Sequence, residues 1–382
     1  MGLSNKKKNI IFCSSEYITS KDYGGLAVFL KKFISLLKKD FNIHLIVTSS
    51  NNKKYYKDGI NIYNVNTNYN LLKIFKKFFL PLYIISQSWL INKKLNKLIA
   101  KLASVQFVHF SNYQCLGLFY KNKLPVITRL SSLETLWDNS NFFSISEYLE
   151  KYTLSKSNLI LSPSNFLISE LKKNYNLKGF FLPPLTEKIN KKKIKTKKKI
   201  ILTFGSISPG KGSFIIENII NNILNIDKNI FYYWIGNVDK KYYRSNDSFK
   251  KKLQQNTVYP SRIKIISKLS RRRLFYYINK SRIIILPSLR DNSPNACLEA
   301  LAMEKVIIAR KNSGFDNLIK DKFNGFLFNK RNEFEIINLI SKILSFKKKD
   351  KKKITYNIRN YNKNFQPEKV IKIYKKYINK IT

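Results

Sequence analysis

A chain of 382 residues is longer than one core usually supports, and 44% hydrophobic residues supply enough apolar surface for two domains while excluding a disordered chain. Three scattered cysteines (Cys13, Cys115, Cys297) with no C-x-x-C, and only two histidines (His44, His109), argue against a disulfide framework, a zinc site and a histidine-based triad, and fit a reducing cytosol. The 72 Lys and Arg against 23 Asp and Glu give a formal charge of +49, which disfavours cationic ligands and draws anionic ones.

Lys6 to Lys8 are basic, but Asn9 to Cys13 is too short for an export core and reads as a first strand. Lys6 also stands where a myristoylation signal needs Ser or Thr. A polar loop runs to Tyr23-Gly24-Gly25, and a helix is predicted over Leu26–Lys38, with Leu26, Phe29, Leu30, Phe33, Leu36 and Leu37 at helical spacing. Ile43 to Val47 is the next strand, completing a βαβ unit. Paired glycines such as Gly24 and Gly25 let backbone approach a ligand, with N–H groups free for phosphate or sugar oxygens; a plain tight turn is the simpler reading.

Residues 71–90 are too short and too interrupted to span a bilayer. Lys73, Lys76 and Lys77 beside Phe75, Phe78, Phe79 and Trp89 suit a helix lying at a membrane interface; they equally suit a core-facing helix with solvated lysines. Strands follow at Val105 to Phe110 and Leu124 to Ser131, His109 reading as a buried core residue. Leu159 to Leu161 followed by Ser162-Pro163-Ser164 reads as strand and helix cap. The stretch 185–199, crowded with lysines after Pro183-Pro184, reads as a solvated basic linker. Domains are therefore expected at 1–184 and 200–355, with a C-terminal helical segment, 356–382.

The second domain opens on the strand Ile200 to Phe204, then Gly205-Ser206, Lys211 and a helix from about Ser213. Gly205 to Gly210-Lys211 has nearly the spacing of a P-loop, but Gly212 replaces the hydroxyl residue that would hold a magnesium ion, which argues against ATP. A lysine there can neutralise a leaving diphosphate. The richest segment is Leu286 to Ala300. An apolar strand, Arg282 to Leu286, feeds a polar loop, a Ser293-Pro294 helix start and an apolar helix from Ala296 to Met303. A strand end meeting a helix N-terminus is where open α/β sheets hold ligands, and its dipole favours an anion. Two carboxylates frame the turn, Asp291 in the loop and Glu299 a turn into the helix, where hydroxyls of a ligand could bond.

Asp291 and Glu299, with seven residues between them, resemble the E-x7-E signature of retaining glycosyltransferases of family 4 (the glycosyl transferases group 1 type). The resemblance covers almost the whole chain, its specific residues lying in the second domain. It implies a GT-B fold: α/β, two facing Rossmann-like domains with a deep interdomain cleft, the first on the acceptor side and the second on the donor side. It implies Glu299 on the nucleotide ribose, Asp291 at the donor sugar, Lys211 on the diphosphate, and Gly24, Gly25, Gly205, Ser206, Asn292, Ser293, Pro294 and Asn295 as further donor contacts. It also implies that the final helix returns to the first domain. Five positions depart from the family pattern. Asp291 is one methylene shorter than the usual glutamate, Ser206 replaces the arginine paired with Lys211, and Ser131 occupies the place of a histidine near the reacting centre. Glu304 and Val306 replace the usual Gly and Pro of the loop after Glu299, while Ser313-Gly314 preserves part of the next glycine turn.

The expected activity is hexosyl transfer, with retention, from a nucleotide diphosphate-sugar co-substrate to a glycan or lipid-linked acceptor, without metal or resident cofactor. Bacterial surface polysaccharide or lipopolysaccharide assembly at the inner face of the cytoplasmic membrane is the implied setting. The basic residues are spread along the chain and are mostly lysine, so compositional bias explains them as well as attraction to an anionic membrane does; no specific nucleic-acid partner is expected. A glycoside hydrolase would leave Lys211 and the glycine loops without a role. A catalytically impaired GT-B-like binding subunit of a glycan-assembly complex is the alternative that Ser206 and Ser131 suggest.

Overall fold

The computed structural model describes residues 7–18, 24–68, 79–121, 123–136, 145–187, 189, 199–289, 291–292, 294–329 and 332–382. The chain divides into two compact units, Met1–Leu185 with Pro367–Thr382, and Thr186–Gln366.

In the first unit, β1 (Asn9–Ser14), α1 (Gly25–Leu37) and β2 (Asn42–Ser49) form the expected βαβ unit. A hairpin follows, β3 (Lys54–Lys57) and β4 (Ile60–Asn66), joined by Asp58-Gly59, both with positive φ. That two-residue turn matches strand twist, and Asp-Gly is its usual sequence. Then come α2 (Leu80–Ile99), β5 (Val105–Ser111), β6 (Val126–Arg129), α3 (Ile145–Ser155), β7 (Leu159–Ser162), α4 (Asn165–Tyr175) and the short β8 (Phe180–Phe181). The sheet order is β3-β4-β2-β1-β5-β6-β7-β8, parallel except for β3. Its central strands are apolar on both faces, as a sheet covered by helices on both sides requires: Ile10, Ile11, Phe12 and Cys13 are all buried.

α2 settles part of the open reading of residues 71–90. Tyr83, Ile84, Ile91, Leu95 and Leu98 face the core, so this stretch is a core-facing helix, while Phe79, Leu80, Leu82 and Trp89 are exposed. Residues 71–78 lie outside the described residues, as does most of the basic stretch 188–198. Among the described residues no helix is long and apolar enough to cross a membrane.

The second unit contains β9 (Lys199–Phe204), α5 (Ser213–Asn225), β10 (Ile230–Ile235), α6 (Asn246–Gln255), β11 (Ile263–Ile266), α7 (Arg271–Lys280), β12 (Ile283–Leu286), α8 (Asn295–Ala302), β13 (Val306–Arg310), β14 (Phe326–Phe328), α9 (Glu335–Leu344) and α10 (Lys348–Asn362). Its six-stranded parallel sheet runs β11-β10-β9-β12-β13-β14, with β9 flanked by β10 on one side and β12 on the other. The order reverses between β9 and β12, the switch point at which the loops beyond neighbouring strands diverge and open a ligand crevice.

The expected C-terminal segment 356–382 divides at Pro367. α10 stays with the second unit, where Ile354 and Ile358 join the core, and α11 (Pro367–Ile378) belongs to the first. Val370, Tyr374 and Ile378 pack there with Phe12, Phe33 and Leu37.

Candidate active site

The loops beyond β9, β12 and β13 are laced together at the switch point of the second unit. After β9 the chain turns through Gly205 (φ +123°) and the exposed Ser206 to a single turn, Pro209–Lys211. Gly212 (φ +83°) then redirects it into α5. Its Cα lies so close to the loop after β12 that a Cβ there would sit 2.3 Å from the Pro287 carbonyl oxygen. The Leu289 N–H donates to the Gly210 carbonyl at 2.9 Å, tying the second loop to the first. Gly314, after β13, closes the other side: its N–H donates to the Asp291 carbonyl at 2.7 Å, and a Cβ would meet the Asn292 carbonyl oxygen at 2.3 Å. Arg310, buried at the end of β13, donates from its guanidinium to the Leu289 carbonyl.

This lacing brings two of the expected residues into contact. Lys211 Nζ lies 2.7 Å from Asp291 Oδ2, across 80 positions of sequence, with the lysine side chain 39% exposed and the aspartate 14%. The pair therefore holds a half-solvated cation at the switch point, directed by a carboxylate. Asn292 is half-buried and Pro294 buried; Asn295 begins α8, and Glu299 lies half-buried in that helix's second turn. α8 has no side-chain cap, and the Pro294 carbonyl accepts the Cys297 N–H at 3.0 Å. The helix starts at Asn295, one residue before the expected Ala296, and Ser293 lies outside the described residues. The Cys297 thiol is buried against Asp291, and burial first, then that negative charge, hold it well above its ordinary pKa, so it stays a neutral packing group.

Gly24 and Gly25 belong to the first unit, on a different sheet from the Lys211–Asp291 pair. They are exposed at the start of α1, the Gly24 N–H donating to Glu16 Oε2 at 2.8 Å. His109, expected in the core, lies there: it is 3% exposed, 4.7 Å from the Phe12 ring, and burial pushes its pKa down to about 3.

Two features of the first unit escape the sequence reading. Ser131 is held by Asn112, whose Oδ1 accepts the Ser131 N–H at 2.8 Å, while Asn112 Nδ2 donates to Glu150 Oε1 at 2.8 Å. Glu150 also accepts the Glu134 N–H and the Tyr175 hydroxyl, both at 2.8 Å. Burial raises this carboxyl to about 7 in spite of those donors. The second is Arg129, at the end of β6, 5% exposed with its guanidinium carbon 3.5 Å above the Phe29 ring. Two glutamates in one amphipathic helix, Glu147 and Glu150, and an arginine closing an apolar strand are the signals that could have marked them.

Residues 185–361 match the model of the family described as Glycosyl transferases group 1. This segment, just under half of the chain, is similar to that family's domain. An uncharacterized glycosyltransferase of Methanocaldococcus jannaschii is 25% identical over 357 residues, covering 91% of this chain and 92% of that one. Among solved structures, sucrose-phosphate synthase from Thermosynechococcus elongatus superimposes with a TM-score of 0.76 at 13% identity, over 97% of this chain and 98% of that one. Anabaena HepE in complex with UDP and glucose gives a TM-score of 0.72 at 12% identity, over 98% and 100%. The fold is accordingly GT-B, two Rossmann-like α/β domains, and the comparisons support a glycosyltransferase. Among the described residues, no group of three or more His, Cys, Asp or Glu side chains is placed to hold a metal ion.

Proposed function

We propose that the protein is a retaining hexosyltransferase of the family 4 type. It takes a nucleotide diphosphate-sugar as donor and a hydroxyl of a glycan or lipid-linked sugar as acceptor. The observation that carries this reading is the Lys211–Asp291 pair at the switch point of a segment similar to the glycosyl transferases group 1 family, with Glu299 on the helix that follows. Lys211 offers a charge to the diphosphate as the glycosidic bond breaks, which lowers the barrier only where charge develops. Asp291 aims that lysine and, when the diphosphate claims it, faces the donor sugar. Glu299 holds the ribose, and the loop Asn292–Asn295 together with Gly205 and Ser206 lines the donor.

UDP is the first nucleotide to test, because HepE is solved with it. We further place the enzyme in bacterial surface polysaccharide assembly on the inner membrane face, a reading supported by the formal charge of +49 and by exposed Phe79, Leu80, Leu82 and Trp89 on and beside α2. The test is thermal stability with UDP, GDP, ADP and their sugars, in wild type and Glu299→Ala. Stabilisation by one nucleotide class, lost in the mutant, is expected; no shift with any nucleotide in folded protein would reject the donor site. Exposed Ser206, lacking the arginine's charge, supports one competing reading, an impaired binding subunit. A large gain in turnover from Ser206→Arg would support it.

A further inference from the structure

Lys211 ends a loop that is open on one side. A Cβ added at Gly205 or at Gly210 would meet nothing within 4 Å. The other side of the loop rests on the segment after β10: Ile207 is buried, its N–H donates to the Asn237 carbonyl at 2.9 Å, and its carbonyl accepts the Asp239 N–H at 2.9 Å. Lys211 closes the single turn that follows, its N–H on the Ser208 carbonyl at 3.0 Å. Among the described residues, Asp291 is the one side-chain partner of its ammonium. A diphosphate that takes the lysine from Asp291 removes that support, so what still holds Lys211 must lie in the backbone beside it. Gly212 and Ser213 are the next buried residues, and of the two only Ser213, the first residue of α5, has a side chain to hold.

The Ser213 hydroxyl lies 2.6 Å from that of Tyr243, in the segment between β10 and α6. Tyr243 donates its one proton to Glu217 Oε1 at 2.7 Å, so the Ser213 hydroxyl is the donor to Tyr243. Glu217 Oε2 is 2.7 Å from Lys252 Nζ on α6. Burial, with the Glu217 carboxylate acting in the same direction, raises the Tyr243 pKa and keeps the proton in this chain of bonds. Ser213, Tyr243 and Glu217 are 0%, 8% and 6% exposed, so a broken link leaves polar atoms with no water to replace it.

We propose that Tyr243 is a positioning residue for donor binding: bonded to Ser213 and backed by Glu217, it fixes the first turn of α5 and so keeps Lys211 where the diphosphate meets it. The proposal rests on the nucleotide-sugar reading of the same site. Ser206 brings no second cation to this loop, so a misplacement of Lys211 by a fraction of its length is not made good by an arginine beside it.

Tyr243→Phe removes one oxygen and keeps the ring packed on Phe249, 4.9 Å between centroids. Calorimetry with UDP, in wild type, Tyr243→Phe, Lys211→Met and the double variant, reads the first consequence. Tyr243→Phe is expected to weaken UDP about three-fold or more, the order of one hydrogen bond, and to change nothing further in the Lys211→Met background. Glu217→Gln, which keeps an acceptor for the tyrosine, should bind UDP as wild type does. Equal weakening in both backgrounds, or a lower melting temperature with UDP affinity unchanged, overturns the proposal, because the network then serves the fold and not the lysine. Ser213→Ala cuts the same link and decides the matter if the phenylalanine variant does not fold. The second measurement needs no nucleotide: acetylation of Lys211 in the full chain, followed by mass spectrometry. Its rate should rise a few-fold in Tyr243→Phe, because a lysine loosened from Asp291 is more often free to react, while the rate at exposed Lys31 on α1 stays constant. An unchanged Lys211 rate overturns the positioning role. A raised rate together with no UDP binding by wild type rejects the donor reading and leaves the positioning of Lys211 standing.

Discussion

Asp291→Asn is the most informative single change, because it separates nucleotide affinity from transfer. The Asp291 carboxylate holds Lys211 at 2.7 Å. At that separation the Coulomb attraction is about 6 kcal/mol at an effective dielectric of 20 and about 1.5 kcal/mol in water. The lysine is 39% exposed, which places the pair toward the watery limit; fixing a flexible lysine then leaves a net worth of roughly 1 kcal/mol or less. A diphosphate that recruits Lys211 must draw the lysine away from Asp291 and also approach the carboxylate's negative charge. The asparagine variant lifts both penalties, so UDP should bind more tightly, by up to about five-fold for 1 kcal/mol, with a stability loss of similar size. Turnover should fall, because the group facing the sugar loses its charge and the lysine its aim. Calorimetry with UDP gives the first quantity, urea unfolding the second, and release of UDP from a sugar donor the third. Weaker UDP binding in Asp291→Asn, with binding unaffected by Lys211→Met, would refute the reasoning, since it would show that the lysine never serves the nucleotide.

Gly212→Ala and Gly314→Ala should each lower stability by at least about 2 kcal/mol, because a Cβ would stand 2.3 Å from a backbone oxygen in both cases; urea midpoints within experimental error of wild type would show that the loops can part. Glu150 gives a pH signature. Its folded-state pKa of about 7 lies above the ordinary 4.5, so between those values the folded protein holds the extra proton, and stability falls as pH rises through that window. Wild type should lose a few kcal/mol relative to Glu150→Gln between pH 5 and pH 8, by roughly 1.4 kcal/mol for each unit of pKa difference; parallel curves would remove the charge from the account. Flotation with anionic vesicles should fall steeply as salt rises from about 0.05 to about 0.5 M, because the Debye length shrinks several-fold, and it should also drop in Trp89→Ser if the exposed end of α2 inserts. Flotation indifferent to both would contradict membrane attachment.

Much of the fold was legible because parallel strands covered on both faces must be apolar throughout, and such runs stand out: Ile43 to Val47, Ile200 to Phe204 and Ile283 to Leu286 are all strands. The hairpin at Asp58-Gly59 carried its own turn signal, but β3 is exposed and polar, so no hydrophobic pattern drew attention to it. Contact between Lys211 and Asp291 was not legible. It depends on β9 and β12 being neighbours, and that order follows from three crossovers through α5, α6 and α7, whose sequence pattern says only that they are amphipathic. The Asn112–Glu150–Tyr175 network was hidden for the same reason, since its members come from a loop and two helices that meet only after the sheet has formed.

The formal charge of +49 says little about chemistry until burial sorts it. Among the described residues, no lysine is buried, and lysines on solvated faces contribute a diffuse field that salt suppresses. Two cations are buried, and both are arginines, Arg129 and Arg310. Each closes a strand of a parallel sheet, β6 in one unit and β13 in the other, at the carboxyl edge where such sheets hold ligands. Arg310 spends its guanidinium on the Leu289 carbonyl and so shapes the Asp291 loop. Arg129 has no such employment among the described residues beyond the Phe29 face and one long bond. An excess of lysine drifts with composition at little energetic cost, but a buried guanidinium is expensive to keep. The charge that bears on the site is therefore carried by few residues, Lys211 held by Asp291 and the buried Arg310 that shapes the same loop.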